Sequence, residues 1–411
     1  MKRKKTSIKE KFSNFLIISF YVIIKPICWF YAVVFQHVRF KKNGYKVPKG
    51  SVLFLSNHLT NWDGIYINCM FWTRIIRCVC HDEMFKNKAL AWIFKNLLGE
   101  ICRGKKESDF LDVLKMKRLV SRSKVSLGLY PEGDIDMFGR TLPFDTEVAK
   151  LAKLLKIPVV LTKIQGAHIR APRWAKNPRH AHITYSMTDV ISVEEVSSLS
   201  CEQLFERIYK GIANDDSLYQ QSLKHKQFPT KNRANWLELG IFYCPNCGKF
   251  ETLSTKNDLI YCKECGFKAR YNVYSALEQV EGKLGVELVT EWDDLQKAEL
   301  YKRIDQYDGE QPFLQEENLT FYRQNAGEYF KKPLGSASLK VYGDRIEYSC
   351  KEERHCLYVD QMTKISLQYK DVLEIHYGDY KIRFQHERKK WSAYLYVLAL
   401  KRLKEAQNKV A

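Results

Sequence analysis

Short runs of consecutive apolar residues alternate with helically spaced ones through the first half of the chain. Val52-Leu53-Phe54-Leu55 is apolar at every position, the pattern of a strand buried on both faces. Ser56-Asn57 then offers a helix cap, and Trp62 to Trp72 predicts the helix. Leu90 to Leu98 predicts a helix and Glu100-Ile101-Cys102 a strand. A helix over Asp109 to Ser121 precedes a strand over Lys124 to Tyr130. The pattern repeats with a helix over Thr146 to Leu155 and a strand over Ile157 to Ile164, and His182 to Tyr185 adds one more strand. Strands alternating with helices predict an α/β layer with a largely parallel sheet. Such sheets bind ligands beyond the carboxyl ends of their strands, and His58 and Glu132 stand just past two such ends.

The second half has a different rhythm. Cys201 to Lys231 is helical, then polar and basic, with a boundary near Phe228-Pro229. A cysteine-bearing segment begins at Trp236, and Thr290 caps a helix running from Glu291 to Ile304. From Leu319 the period is two. Ser338 to Tyr342, a turn at Gly343-Asp344 and Arg345 to Ser349 give a hairpin signal. Alternating runs follow over Thr363 to Tyr369, Val372 to Tyr377 and Tyr380 to Gln385, and Trp391 to Leu403 closes as an amphipathic helix.

Charge changes the reading of the N-terminus. The chain carries a formal +20, and residues 1–50 hold twelve Lys or Arg against Glu10 alone, so +11 lies in the first eighth. An end like this binds nucleic acid or an anionic membrane face. Here the basic residues flank the apolar stretch Phe12 to Phe35, which suits a bilayer at its cytoplasmic face and makes nucleic acid an unneeded partner. Lys25-Pro26 interrupts that stretch, and neither half reaches the ~20 residues that cross a bilayer alone. The expectation is two short helices dipping into one leaflet, with Lys25 reaching back to the interface. A single kinked span is the alternative. No small-residue cleavage site follows, so this is not a cleaved signal peptide. Eight scattered cysteines point to a reducing compartment.

The candidate chemistry lies at Asn57-His58 and Asp63. The spacing alone says little, because His355 and Asp360 repeat it inside the strand-rich region. His58 differs by following an apolar strand. On the loop, with Asp63 one turn into the helix, the two side chains can meet. Both in one helix, they would be about 500° apart. Acyl transfer from a thioester to an alcohol needs a base for the hydroxyl proton, and a neutral imidazole serves near pH 7. A carboxylate on the other ring nitrogen fixes the tautomer. The acceptor alcohol is itself the nucleophile, so no Ser or Cys nucleophile is required.

These residues resemble the glycerolipid acyltransferases of the lysophosphatidate acyltransferase type. Asn57-His58-Leu59-Thr60-Asn61-Trp62-Asp63 looks like the first block of that family, and Gly99-Glu100-Ile101-Cys102-Arg103 the second. Tyr130-Pro131-Glu132-Gly133 resembles the third and Ile157-Pro158-Val159-Val160 the fourth. The resemblance covers about residues 12 to 215. It implies that a fatty acyl group moves from acyl-CoA or acyl-carrier protein to a lysophospholipid, foremost 1-acyl-sn-glycerol 3-phosphate to phosphatidate. His58 would be the general base and Asp63 its orienter. Asn57, Arg103, Pro131, Glu132 and Gly133 would form the substrate site, Arg103 at the acceptor phosphate. The third block departs from the family. Asp134-Ile135-Asp136 stands where Thr-Arg-Ser is usual, and Asp145 stands near the place of a later Lys. Arg140, Lys105 or Lys106 would then supply the missing cation, or the acceptor is another lysolipid.

Cys244-Pro245-Asn246-Cys247-Gly248 and Cys262-Lys263-Glu264-Cys265-Gly266 form two Cys-x2-Cys knuckles. Their spacing reads as a structural Zn(2+) ribbon ligated by Cys244, Cys247, Cys262 and Cys265, with another metal such as iron, or disulfides, as the other readings. The late strands and terminal helix resemble pleckstrin-homology-like architecture, with Arg388-Lys389-Lys390 as a basic run for membrane contact. The expected domains are anchoring helices (1–45), an acyltransferase domain (46–228), the ribbon (236–275), a helical linker (276–310) and the β domain (311–411). The competing readings are a zinc-ribbon nucleic-acid-binding protein and a catalytically idle membrane scaffold.

Overall fold

The computed structural model describes residues 8–81, 88–103, 109–123, 125–176, 178–223, 230–325, 328, 332–386 and 391–410, and their side chains except at 8–14, 81, 88, 90, 102, 103, 109–112, 122, 123 and 408–410. The chain divides into two compact units, Met1–Arg170 with Ala181–Tyr219, and Ala171–His180 with Gln220–Ala411.

The first unit opens with α1 (Ile8–Phe30), which continues as a π-helical turn over Tyr31–Phe35. Then come β1 (Val38–Lys41), β2 (Leu53–Ser56), α2 (Asp63–Met70), β3 (Ile76–His81), α3 (Lys88–Ile93), β4 (Ile101–Arg103), α4 (Asp109–Ser123) and β5 (Ser126–Leu129). After these the chain forms α5 (Glu147–Leu155), β6 (Val159–Gln165), α6 (Ala167–Arg170), β7 (Ile183–Ile191), α7 (Val193–Ser198), α8 (Cys201–Ile212) and α9 (Asp216–Ser222). The sheet order is β1-β7-β6-β2-β5-β3-β4. β2, β3, β4, β5 and β6 run parallel, β7 returns antiparallel to β6, and β1 lies parallel to β7.

The sheet is apolar on both faces because both are covered. Leu53, Leu55, Leu127 and Leu161 pack with Ala149 and Ala152 of α5 and with Leu204 and Ile208 of α8. Phe54, Ile76 and Val160 pack with Tyr66 and Ile67 of α2 on the other side. Gly128 of β5 lets its neighbour close in, since a Cβ there would lie 2.9 Å from the Cys78 Sγ. The predicted strands and helices recur within a few residues. β1 and β3 are additional, and β1 lies inside residues 1–45, expected as anchoring helices. Val-Arg-Phe-Lys and Ile-Arg-Cys-Val-Cys-His carry charges within short runs, which hides them as strands.

The N-terminal expectation of two helices is corrected. α1 passes through Lys25-Pro26 without a break. A proline inside a helix removes one i→i−4 bond, and the helix tolerates that loss here. Lys25 does not reach back to an interface. It is buried and donates to the carbonyl oxygens of Phe71 (3.0 Å), Trp72 (3.5 Å) and Arg74. Ile17, Tyr21, Lys25 and Ala32 form the packed side of this segment, while Phe15, Ile18, Val22, Ile23, Ile27 and Phe30 are exposed. By length and composition, Phe15–Phe35 is long and apolar enough to cross a membrane.

The second unit contains two sheets. β8 (Leu253–Lys256), β9 (Leu259–Cys262), β10 (Lys268–Tyr271) and β11 (Leu277–Glu281) form a small antiparallel sheet, and α10 (Val289–Asp305) follows. β12 (Leu314–Asn325), β13 (Gly335–Val341), β14 (Arg345–Cys350), β15 (Glu353–Tyr358), β16 (Met362–Gln368), β17 (Val372–Tyr377) and β18 (Tyr380–Gln385) form an antiparallel sheet of order β15-β14-β13-β12-β18-β17-β16. α11 (Ala393–Val410) ends the chain. The hairpin signal at Gly343-Asp344 corresponds to β13 and β14. α10 begins at Val289, one residue before Thr290, and is capped instead by Glu291, whose Oε2 accepts from the Leu288 N–H at 3.1 Å. The Trp292 indole donates to the Tyr243 carbonyl at 2.9 Å, and the Tyr394 hydroxyl to Asp293 at 3.1 Å, so α10 ties the cysteine segment to α11. The basic run Arg388-Lys389-Lys390 and the boundary at Phe228-Pro229 lie outside the described residues.

Candidate active site

β2 delivers the chain to Ser56 in the middle of the sheet, and α2 starts only at Asp63. The six residues between them are pinned from three sides. The fully buried Asn57 amide pairs with both main-chain groups of Ile164 on β6, donating at 2.8 Å and accepting at 2.7 Å. Asn57 therefore does not cap α2, whose N-cap is Trp62; its amide is paired to the neighbouring strand. Behind it, Glu132 joins two loops. Its Oε1 accepts from the His58 N–H and its Oε2 from the Leu142 N–H, both at 2.7 Å. Burial pushes the Glu132 carboxyl up to about 8, against the pull of those two amides. This carboxylate places the His58 backbone, and both of its oxygens are taken.

Asp63 is fully buried and collects four donors. Its Oδ2 lies 2.8 Å from His58 Nδ1 and accepts from the Leu59 and Thr60 N–H groups at 2.7 and 3.0 Å. Its Oδ1 accepts from the Thr60 hydroxyl at 2.7 Å. A carboxylate held by four donors cannot rotate. A carboxylate on Nδ1 holds the imidazole in the tautomer protonated there, so Nε2 carries the lone pair. The His58 side chain is 23% exposed, and its ring stacks on Tyr130 with centroids 4.7 Å apart. This arrangement can take a proton from a hydroxyl brought to Nε2.

The remaining residues of the third block build the wall. The Gly133 N–H closes a turn onto the Tyr130 carbonyl at 3.1 Å with φ +67, a conformation that favours glycine. Asp136 is buried and structural. Its Oδ1 accepts from the Phe138 and Arg140 N–H groups at 2.8 and 3.0 Å. Asp145 accepts from the Glu147 N–H at 2.9 Å, at the start of α5. Arg140 is fixed at its backbone by a bridge to Asp215. Arg103 ends β4, with its side chain outside the described residues, as are Lys105 and Lys106. In the second block, burial raises Glu100 to about 8, with its Oε2 3.8 Å from the Cys80 Sγ.

The competing His355 does not meet Asp360. It lies 3.5 Å from Glu353 and stacks across the strands on Tyr348. Two residues of the site are additional to the sequence reading. Thr60 was signalled by Thr60-Asn61-Trp62-Asp63, the spacing of a capping box. Tyr130 lies in the third block, and nothing in its spacing announces the stack.

The second unit holds the four cysteines together. The Sγ atoms of Cys244, Cys247, Cys262 and Cys265 lie within 4.8 Å of one another. Cys244 and Cys265 are 3.7 Å apart, and Cys247 and Cys262 3.8 Å. Four thiolates about 2.3 Å from a tetrahedral ion stand roughly 3.8 Å apart, so the cluster can hold a metal, and it is far too open for disulfides. Gly248 and Gly266 take φ of +70 and +74 in the knuckle turns.

Residues 37–163 match the family model described as Acyltransferase. No curated protein matches the chain by sequence. Among solved structures, the chain is similar to the 1-acyl-sn-glycerophosphate (LPA) acyltransferase of Thermotoga maritima, at 15% identity and TM-score 0.41, over 54% of this chain and 85% of that one. It is also similar to Inner Membrane Complex sub-compartment protein 3 of Toxoplasma gondii, at 9% identity and TM-score 0.18, over 27% of this chain and 85% of that one.

Proposed function

We propose that the chain, whose residues 37–163 match the Acyltransferase family model, transfers a fatty acyl group from acyl-CoA or acyl-carrier protein to the hydroxyl of a lysophospholipid at the cytoplasmic face of a membrane. The observation that carries this reading is the 2.8 Å contact between His58 Nδ1 and an Asp63 already saturated by Leu59 and Thr60. Nε2 takes the acceptor's hydroxyl proton as the oxygen attacks the thioester carbonyl. Asp63 stabilises the imidazolium that forms. The tetrahedral intermediate collapses, the carbon–sulfur bond breaks, and the leaving thiolate recovers the proton from His58. The products are an ester and a free thiol. Glu132 acts on this reaction through the His58 backbone, because its oxygens are committed to main-chain amides.

The acceptor we favour is 1-acyl-sn-glycerol 3-phosphate, with Arg103 and Arg140 as its phosphate ligands. The exposed apolar side of α1 and its basic flanks support seating on the bilayer surface.

The cysteine cluster would hold Zn(2+) through Cys244, Cys247, Cys262 and Cys265. Four protein ligands leave no open position, so the ion would supply folding energy and take no part in acyl transfer. The sheet closed by α11 would be a pleckstrin-homology-like module that adds membrane contact.

The test compares purified wild type with His58→Ala in detergent, following thiol release from palmitoyl-CoA with a panel of lysolipids. Release by wild type alone is expected. Equal release by both, or none from wild type with any lysolipid, overturns the proposal.

A further inference from the structure

Tyr130 ends the strand that carries the third block, and its ring lies flat against the imidazole of His58. The centroids are 4.7 Å apart and the planes 25° from parallel. The hydroxyl end points inward, beside the Cys78 thiol. The aromatic face, and not the hydroxyl, is what His58 meets. An aromatic face carries negative charge density and attracts a cation set over it. It gives little to a neutral imidazole and more to an imidazolium, so its effect falls on the state that exists after proton transfer.

We infer that Tyr130 is a positioning residue whose ring holds His58 flat and stabilises the imidazolium formed when His58 takes the acceptor's proton. The inference rests on the general-base reading above. The groups around the ring divide the work. Asp63 on α2 holds Nδ1 in the ring plane, Glu132 holds the backbone amide from behind, and Tyr130 meets the face. Cys78 and Glu100 stand behind Tyr130, and burial pushes both thiol and carboxyl up, which keeps the region behind the ring low in charge. A ring face is effective in such surroundings because water does not screen it.

The structure contains its own control. Tyr348 and His355 in the second unit stack with the same centroid distance of 4.7 Å, at 23°, with the Glu353 carboxylate 3.5 Å from Nε2 instead of an aspartate on Nδ1.

The test separates the ring's electronics from its shape. Phenylalanine and a series of increasingly fluorinated phenylalanines are placed at position 130, and kcat is measured with palmitoyl-CoA and a lysolipid that wild type uses. Tyr130→Phe, which keeps the ring, is the reference for the series. Fluorination, which drains the ring face at nearly constant shape, should lower kcat stepwise to roughly a fifth to a tenth, with KM for the donor unchanged. The midpoint of the acid limb of kcat/KM should fall by roughly half a pH unit across the series.

A second measurement needs no activity. NMR titration of the His58 ring should show the same downward shift in Tyr130→Leu relative to Tyr130→Phe, while His355 stays fixed. A flat kcat series, or a His58 titration indifferent to residue 130, overturns the inference. Wild type inactive on every lysolipid overturns the acyl-transfer reading instead, and the NMR result still decides whether the ring favours the charged imidazole.

Discussion

The ammonium of Lys25, in the middle of the apolar N-terminal helix, lies 3.0 Å from the carbonyl oxygen of Phe71. Phe71 is the C-cap of α2, the helix whose first residue is Asp63. Trp72 and Arg74 offer two further carbonyls to the same nitrogen. At the other end of α2, Trp62 stacks on Tyr31 at 5.4 Å. The apolar N-terminal segment thus grips α2 at both ends. Lys25→Met keeps the stem and removes the cation, leaving buried carbonyls without a donor. An unsatisfied buried acceptor costs about 1–3 kcal/mol, so the first unit should melt several degrees lower. Differential scanning fluorimetry in detergent reads this. An unchanged melting point would mean that water replaces the ammonium.

Asp63→Asn tests the tautomer argument. The amide keeps the volume but presents an NH2 group, either at the Oδ1 place to the Thr60 hydroxyl or at the Oδ2 place to Nδ1 together with the Leu59 and Thr60 amides, which are themselves donors. Presented to Nδ1, it moves the imidazole proton to Nε2 and removes the base. By analogy with catalytic triads, kcat should fall roughly 10³- to 10⁴-fold, with KM for acyl-CoA nearly unchanged. Steady-state kinetics across pH 6–9 checks this. A variant within tenfold of wild type would show that Asp63 only shapes the loop.

Glu132 makes the fold pH-sensitive in a definite direction. Its carboxyl sits at about 8, above the ~4.3 of an exposed glutamate, so the folded state binds its proton more tightly than the unfolded state does. The corresponding stability is complete below pH ~4 and is lost as pH rises through about 8. Glu100, also near 8, and Asp216, near 6, add slopes of the same sign. Glu132→Gln removes one contribution and places an NH2 against the Leu142 or the His58 N–H. The variant should be less stable than wild type at pH 5, and the gap should narrow towards pH 8.5. Urea midpoints of both proteins over that range measure it. A gap that widens with pH would reverse the sign of the assignment.

Much of this arrangement was legible in the sequence, and the reasons it was not wholly so are physical. β2, β5 and β6 were readable because burial on both faces demands unbroken apolar runs. β3 and β1 were not, because Arg77, Arg39 and Lys41 interrupt them. His58 and Asp63 were found through their place after a strand, and His355 shows that spacing alone would have misled. Asn57 was misassigned because a polar residue after a strand looks like a cap, and its partner Ile164 is 107 positions away. Lys25 was expected at the membrane interface because its three carbonyl partners lie about 46 to 49 positions along the chain. Long-range partners to backbone groups leave no local signature.

Removing metal from the cysteine cluster should act on folding rather than on turnover. The Trp292 indole bonds to the carbonyl of Tyr243, next to Cys244, and its ring packs 5.8 Å from Phe267, two residues after Cys265. Loss of the ion should therefore reach α10 and change tryptophan emission. We expect about one zinc per chain on purification. Chelation or Cys262→Ser should lower the melting point of the second unit, because metal affinity there is folding free energy. Elemental analysis and fluorescence-detected melting check both statements. Zinc-free protein with the same melting curve would leave the cluster as four ordinary thiols.

The last prediction concerns the exposed side of α1. Val22 is 70% exposed, Ile23 67%, Phe15 64% and Ile27 58%, an apolar surface that water disfavours and hydrocarbon accepts. The packed side of the same helix is tied to the first unit through Lys25 and through the Tyr21 hydroxyl, which donates to the Leu98 carbonyl at 3.1 Å. A helix held along one side presents its other side as a surface, which favours lying in the interface over crossing it. Burying one large apolar side chain is worth about 1.5–3 kcal/mol, and an aspartate in its place adds a desolvation cost. Val22→Asp with Ile27→Asp should therefore weaken binding to vesicles of phosphatidylcholine and phosphatidylglycerol at least a hundredfold. The His58–Asp63 pair and the melting point should be preserved, because both positions point away from the protein. Raising salt should weaken wild-type binding further, through the basic flanks. Flotation assays read both effects. Undiminished binding by the double variant would transfer the membrane contact from this helix to another surface, and a fall that appears only with unfolding would show that α1 is held by the domain alone.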